Sequence, residues 1–289
     1  MAMKIVFPVA GVGTRFLPAT KEVPKEILPV IDKPLIQYAV EEAIASGLAD
    51  FVFITAPGKE ALERHFAPNR ELDEFLERHR KTQLLDGLQD FYHKNFSYIR
   101  QEQALGFGHA IALAEKAIGD EAFAISLPDD LILSAQPAMA QMIAVYEKYK
   151  SPVIAFMRVS PEDTSRYGIA AGPFLEERVF RIEQLVEKPA LGTAPSNYAV
   201  IGRYIMTPDI FPLLKRGRKG AGAEIQLTDA VVELMKQRQV LGYFFEGRRF
   251  DAGTTLGYIE TLIHVALSRE DTRDFTRRLL RGLVLDEKL

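Results

Sequence analysis

The sequence predicts an α/β fold, a mostly parallel sheet covered by helices on both faces and extended by an antiparallel layer. Two observations carry this. Short runs rich in β-branched and aromatic residues recur through the first half: KIVFPV (4–9), FVFIT (51–55), FSYIR (96–100), FAISL (123–127) and VIAFMRV (153–159). Segments with helical spacing lie between them, and strands that are nearly continuous apolar runs alternating with helices suit a parallel sheet buried on both faces. From about Tyr167 the pattern changes. Strand-like runs (YGIAAG, RVFRIEQLVEKP, YAVIGRYIM) follow closely with few helices between them, which suggests an antiparallel layer on the same sheet, forming a lid or wall.

The elements follow in order. After the first strand a loop rich in glycine and proline leads to PLIQYAVEEAIASG (34–47), where Leu35, Tyr38, Ala39 and Ala43 share one helical face and Gly47 offers a stop. In FGHAIALAEKAIG, Phe107, Ala110, Ile111 and Ala114 form another such face. This makes His109 a structural rather than a catalytic histidine. Helices are expected again at 208–215, 226–238 and 255–268, and SREDTRDFTRRLLRGLVLDEKL reads as an amphipathic helix near the end. No internal repeat, low-complexity tract or Pro/Ser linker marks a sharp boundary.

Composition narrows the function. The 289 residues are 47% hydrophobic, enough for a substantial core. Lys plus Arg (36) nearly balance Asp plus Glu (39), so no global field draws nucleic acid or an acidic membrane, and any anion site must be local. The basic run LKRGRKGAG (214–222) is isolated and reads as a solvated loop or a mobile cover contributing charge to a site. The absence of cysteine removes disulfides, thiolate zinc sites and cysteine nucleophiles. The first apolar run is too short for a secretory leader, and no stretch approaches the ~20 apolar residues of a membrane span. The expectation is a soluble, cytoplasmic protein. His65, His79, His93, His109 and His264 show no H-x-x-x-H pairing, and no G-x-S-x-G is present.

The most informative stretch is VAGVGTRFLPATKEVPKEILPV (9–30). In open α/β sheets ligands bind beyond the carboxyl ends of the strands, and the loop after the first strand is the usual phosphate or nucleotide contact. Gly11 and Gly13 let the backbone approach a ligand because neither has a Cβ. Two familiar fingerprints fail: Phe16 stands where G-x-G-x-x-G needs its third glycine, and no G-x-x-x-x-G-K-[ST] follows. Instead the segment continues through Arg15, Lys21 and Lys25, its backbone restricted by Pro18, Pro24 and Pro29. A long ordered loop carrying fixed cations suits a polyphosphate, although a glycine turn with solvated lysines fits the spacing equally well.

The run from Ala10 to Gly47, together with RQEQALGFGHAI (100–111), LPDDLI (127–132), YGI (167–169), LVEKP (185–189), GAGAEIQLTDAV (220–231) and FDAGTTLGY (250–258), resembles in order the motifs of the nucleotidyltransferases that activate sugar 1-phosphates. The resemblance covers about residues 4–268. It implies a Rossmann-like sheet in a single domain over 1–270, with a nucleotide-binding part to about 160, a sugar-binding part over about 161–254, and C-terminal helices (255–289) available for oligomerisation. The implied reaction is a Mg²⁺-dependent conversion of UTP and glucose 1-phosphate to UDP-glucose and pyrophosphate. A homodimer or homotetramer is implied, with neither nucleic acid nor membrane as partner.

Such a reaction needs no general base, because the attacking sugar phosphate is already an anion. It needs charge neutralisation and in-line positioning. By resemblance, Arg15 and Lys25 hold the triphosphate, the first as a fork and the second as a point charge. Asp129 and Asp251 are the implied Mg²⁺ ligands, Asp130 being expected to point elsewhere in an extended segment. Gln101 is the implied reader of the uracil edge, with Gln103 as the alternative, and Ala10, Gly11, Gly13, Thr14 and Gly106 line the nucleotide. Glu187 accepts from sugar hydroxyls, Lys188 meets the sugar phosphate, and Gly168, Asn197 and Tyr198 lie in the same region. Within the family, KEVPKEILPV, GHA and EIQLTDA favour UTP over dTTP. The family's usual DCGSK reads Asp251-Ala252-Gly253-Thr254-Thr255 here, without its lysine. A non-catalytic sugar-nucleotide binder is the remaining alternative, but it would not require Arg15, Lys25, Asp129, Lys188 and Asp251 together.

Overall fold

The structure, a computed structural model, describes residues 3–216 and 224–285, so most of the basic run at 214–222 lies outside the described residues. In chain order the first half contains β1 (Lys4–Pro8), a short hairpin of β2 (Pro29–Val30) and β3 (Lys33–Pro34), then β4 (Asp50–Thr55), β5 (Asn95–Arg100) and β6 (Phe123–Ser126). The second half contains β7 (Asp130–Leu133), β8 (Val153–Arg158), β9 (Gly168–Ala171), β10 (Val179–Arg181), β11 (Gln184–Glu187), β12 (Tyr198–Met206), β13 (Leu241–Phe244) and β14 (Arg248–Asp251). One sheet runs in the order β10-β13-β8-β12-β6-β1-β4-β5, with β9 and β11 attached beside β12.

Strand β1 sits inside this sheet because Ile5, Val6 and Phe7 are all buried, with parallel β4 and β6 on its two sides. Phe7 and Phe53 stack with ring centroids 5.1 Å apart, and Phe51, Phe66 and Phe96 extend the aromatic layer on that face. Such pairs contribute about 0.5–1.5 kcal/mol beyond area burial. The expected strands of the first half are thus present, and β5, at the edge, alternates between exposed and half-buried residues.

The expected antiparallel layer is woven into the sheet. Strand β12 runs antiparallel to β6, β8 and β9, and β9 pairs antiparallel with β11. Strand β13 lies parallel to β8. Strands β7 and β14 form a separate antiparallel pair that aligns Asp130 with Asp251.

In the helix Leu35–Ala45, Leu35, Ile36, Ala39, Val40 and Ala43 are buried, whereas Tyr38, expected on the buried face, is half-buried. The reason is that the helix touches two apolar layers. Ile36, Ala39, Val40 and Ala43 face the main sheet, while Leu35 and Tyr38 meet the smaller cluster of Val30, Phe250 and Val265. The Tyr38 hydroxyl donates to the Val30 carbonyl at 2.8 Å. The later helices span Ile210–Arg216, Leu227–Met235 and Thr255–Ser268. The middle one is shorter than the expected 226–238. The tail helix, Glu270–Leu285, leaves Phe275 and Leu279 exposed. Among the described residues no helix is long and apolar enough to cross a membrane.

Candidate active site

The loop leaving β1 borders a cleft of about 650 Å³ whose walls include Ala10, Gly11, Gly13, Thr14, Lys25, Gln101, Gly106, Asp129, Glu187 and Lys188. Residues from five stretches of sequence therefore converge. A Cβ at Gly11 would meet nothing within 4 Å, which leaves that wall open to a ligand. Gly13 has φ of 73°, and a Cβ there would stand 3.2 Å from Lys25 Cβ, so it serves the turn as well as backbone approach. Short 3₁₀ turns at Thr14–Phe16 and Lys25–Ile27 give the long loop its shape.

Beneath the loop lies a buried ion pair that sequence reading missed. The Lys59 ammonium donates to Glu26 Oε2 at 2.9 Å and to the Val9 carbonyl, tying the exit of β1 to the turn that presents Lys25. Burial pulls the Lys59 ammonium below its usual range and pushes the Glu26 carboxyl up. The pair therefore acts as a positional tie whose Coulomb attraction only partly offsets desolvation.

Lys25 Nζ donates to Asp129 Oδ2 at 2.6 Å, joining the implied triphosphate contact to the implied metal ligand. Burial pulls Lys25 down, but the carboxylates of Asp129 and Glu26 outweigh it and hold the ammonium above its usual range. Burial likewise raises Asp129, yet Lys25 leaves it below the usual carboxylate range. Both groups are therefore charged at neutral pH.

The neighbouring carboxylate has other contacts. Asp130 is buried, accepting from the Gly202 N–H at 2.7 Å and from Arg249 Nε at 2.6 Å. Arg249 also donates to the Tyr167 hydroxyl at 3.2 Å and stays charged, because Asp130 and Asp251 more than offset its burial. Next to Gly202, the guanidinium of Arg203 is only 1% exposed. It donates to Glu42 Oε2 at 2.7 Å, to the Leu127 carbonyl at 2.9 Å and to the Asp130 carbonyl at 2.8 Å. The loop carrying Asp129 is thus held at both ends by one side chain.

Asp251 joins Asp129 through the turn after β14. The Ala252 N–H donates to the Asp129 carbonyl at 2.8 Å, and the Gly253 N–H donates to Asp251 Oδ1 at 3.1 Å. A Cβ on Gly253 would lie 2.7 Å from Asp129 Oδ2 and 3.2 Å from Asp251 Oδ1, so both carboxylates border the same small space. Arg15 is exposed and, like Asp251, is not among the residues lining the cleft, but it reaches the same turn, with Nη1 3.4 Å from the Gly253 carbonyl.

Gln101, which also lines the cleft, is buried, its N–H bonded to the Thr55 carbonyl at 2.7 Å. Its side-chain nitrogen lies 3.3 Å from the Gly106 carbonyl and 2.8 Å from His109 Nδ1. Gln103, the alternative reader, is exposed. Gly106 has φ of 97°, and a Cβ there would approach Glu224 Cβ to 2.8 Å. The close fit allows two backbone hydrogen bonds, Ile225 N–H to Leu105 O and Gly108 N–H to Ile225 O, each 2.8 Å.

Ile225 leads into the helix Leu227–Met235, whose Thr228 hydroxyl donates to Glu187 Oε2 at 2.7 Å. Gly168 stands opposite Glu187 across the β9–β11 pair, and a Cβ there would sit 3.2 Å from the same oxygen. Lys188 has φ of 43°, an uncommon left-handed conformation for a residue with a side chain. Its N–H is fixed to the Tyr167 carbonyl at 3.0 Å, while its exposed ammonium lies 3.8 Å from Glu187. Asn197 uses its amide nitrogen differently, donating to the Val159 carbonyl at 3.3 Å.

A mixed sheet with a parallel half, whose first loop offers backbone and cations near two carboxylates, has the parts of a phosphate-handling site. The nucleotidyl transferase family model matches residues 5–266, and the chain belongs to that family. It is 44% identical over 287 residues to the UTP–glucose-1-phosphate uridylyltransferase of Bacillus subtilis (strain 168), covering 99% of this chain and 98% of that protein. Among solved structures, a UDP-glucose pyrophosphorylase complexed with UDP-glucose aligns with a TM-score of 0.86 at 44% identity, covering 93% of this chain and all of the other. A UTP-bound UGPase from Acinetobacter baumannii aligns with a TM-score of 0.89 at 35% identity over the whole of both chains.

Proposed function

We propose that this chain transfers a uridylyl group from UTP to glucose 1-phosphate, giving UDP-glucose and pyrophosphate. The observation that carries the reading is one cleft whose lining brings the Lys25–Asp129 pair together with Gln101, Glu187 and Lys188. The nucleotide occupies the side built from about residues 1–160 and the sugar the side from about 161–254. Lys25 and Arg15 neutralise the triphosphate, Ala10, Gly11, Gly13, Thr14 and Gly106 line it, and Gln101 meets the base. Glu187 accepts from sugar hydroxyls beside Gly168 and Asn197, and Lys188 positions the sugar phosphate for in-line attack on the α-phosphorus.

Asp129 and Asp251 are two hard-oxygen donors bordering one space, a set that fits Mg²⁺, which commonly takes one or two carboxylates and completes its shell with water and phosphate. When bound, the ion supplies further neutralisation of phosphate charge. The chain's own groups do the positioning, and none has to remove a proton. The tail helix presents Phe275 and Leu279 outward, a face suited to a second copy in a homodimer or homotetramer.

The test is pyrophosphate release with Mg²⁺ and glucose 1-phosphate, comparing UTP with dTTP, and glucose 1-phosphate with galactose 1-phosphate. Turnover is expected to be highest with UTP and glucose 1-phosphate and to vanish with EDTA. No release with any pair would leave a binding role instead. Because Thr228 orients Glu187, Thr228→Val is expected to raise the KM for glucose 1-phosphate by roughly three- to tenfold, the effect of one lost hydrogen bond, with little change for UTP. Thr228→Ser should restore it. An equal rise in both KM values would count against the assignment.

A further inference from the structure

Gln101 is the implied base reader, but an amide can face a base by its oxygen or by its nitrogen, and the two ends select opposite partners. The structure determines which end is offered. The group 3.3 Å from the Gly106 carbonyl must be the amide NH₂, because a carbonyl oxygen only accepts. The same nitrogen lies 2.8 Å from His109 Nδ1, so that ring nitrogen is the acceptor and the imidazole carries its hydrogen on Nε2. Both amide hydrogens are thereby engaged within the protein. The oxygen is the end left for a ligand in the cleft that Gln101 lines.

We infer that His109 is a specificity-determining positioning residue, which with the Gly106 carbonyl locks the Gln101 amide so that only its oxygen faces the base. This inference rests on the reading of Gln101 as the base contact. A fixed acceptor accepts the N3–H of uracil or thymine. Cytosine presents an unprotonated N3 there, so two acceptors would face each other with no hydrogen between them. Rejection of cytosine therefore comes from an orientation imposed eight residues along the chain, on the first turns of the helix Phe107–Leu113. Without the histidine, the Gly106 contact alone, longer at 3.3 Å, leaves the amide free to turn and offer its NH₂.

The experiment compares kcat/KM for UTP and CTP, with glucose 1-phosphate and Mg²⁺, in wild type, His109→Leu, His109→Asn and Gln101→Ala. In His109→Leu the preference for UTP over CTP is expected to fall roughly ten- to hundredfold, the scale of one mismatched buried hydrogen bond, through a higher KM for UTP and a lower one for CTP. In His109→Asn the side-chain oxygen can stand where Nδ1 stood, so most of the preference is expected to return. A purely structural role would lower both nucleotides together and leave their ratio unchanged, and that result overturns the inference, as does an Asn variant no more selective than the Leu variant. Gln101→Ala separates the two levels. If it leaves kcat/KM for UTP intact, the base assignment itself is wrong; if it lowers that value while His109→Leu keeps the wild-type ratio, only the role of His109 fails.

Discussion

Replacing Lys25 by Ala is expected to lower turnover roughly 10²- to 10³-fold, the usual cost of losing one preorganised charge-stabilising group, while the protein remains folded. The ligand-free protein adds a second expectation of opposite sign. Lys25 sits on Asp129 Oδ2 at 2.6 Å, so the ammonium would compete with a divalent cation held by the proposed ligand Asp129. Removing it should tighten Mn²⁺, titrated as a Mg²⁺ analogue without nucleotide, even as catalysis is lost. Calorimetry and pyrophosphate release on one preparation check both. Asp129→Ala should lower turnover and weaken the ion together. Stability should change little in Lys25→Ala, since the two side chains are 21% and 24% exposed and water can take over part of the solvation. Wild-type turnover, or weaker Mn²⁺ binding, would remove Lys25 from the assigned role.

The largest stability effect is expected at Arg203. Arg203→Met should cost about 3–5 kcal/mol, the range for breaking a buried ion pair, read as a lower denaturation midpoint in urea. The methionine keeps much of the apolar stem but takes the guanidinium away from Glu42 and from the carbonyls of Leu127 and Asp130, leaving the Glu42 carboxylate, among the described residues, with only the Met139 N–H at 3.1 Å. Adding Glu42→Leu should recover only part of the loss. The double variant removes the stranded carboxylate, yet the carbonyls of Leu127 and Asp130 still lose the guanidinium, the Leu127 carbonyl keeping the Asp130 N–H at 3.2 Å. Full recovery would show that the ion pair alone mattered and that the clamp on the Asp129 loop did not.

The strands of the first half were legible because apolar runs carry their own signal, and the cleft residues because they cluster in a few short motifs. The tie between Lys59 and Glu26 was not, since nothing in the sequence of either residue says that they meet across 33 positions. Arg203 left one trace, a charge inside the apolar run YAVIGRYIM. Its partner Glu42 lies 161 residues away, and nothing in the sequence says that the two meet. Thr228 and the Gln101–His109 contact left none. The helical face of FGHAIALAEKAIG gave His109 a structural reading, but no sign that its ring meets Gln101. Tyr38 shares the apolar face of the helix Leu35–Ala45 but is only half-buried, because it packs against the smaller apolar cluster and its hydroxyl bonds the Val30 carbonyl. The helices at Glu60–Phe66, Arg70–Arg78 and Thr82–Gln89 run only seven to nine residues, too short for a firm pattern, although Leu72, Phe75 and Leu76 in the second do fall at helical spacing.

The paired backbone contacts between Ile225 and the Leu105–Gly108 turn carry one more consequence. Through Thr228 they connect the Leu105–Gly108 turn beside Gln101, the proposed base contact, to Glu187, the proposed sugar contact. Altering sugar preference by grafting the 224–228 segment from a relative would therefore disturb nucleotide selection unless the 105–108 turn travelled with it. The two halves of this enzyme are not interchangeable cassettes.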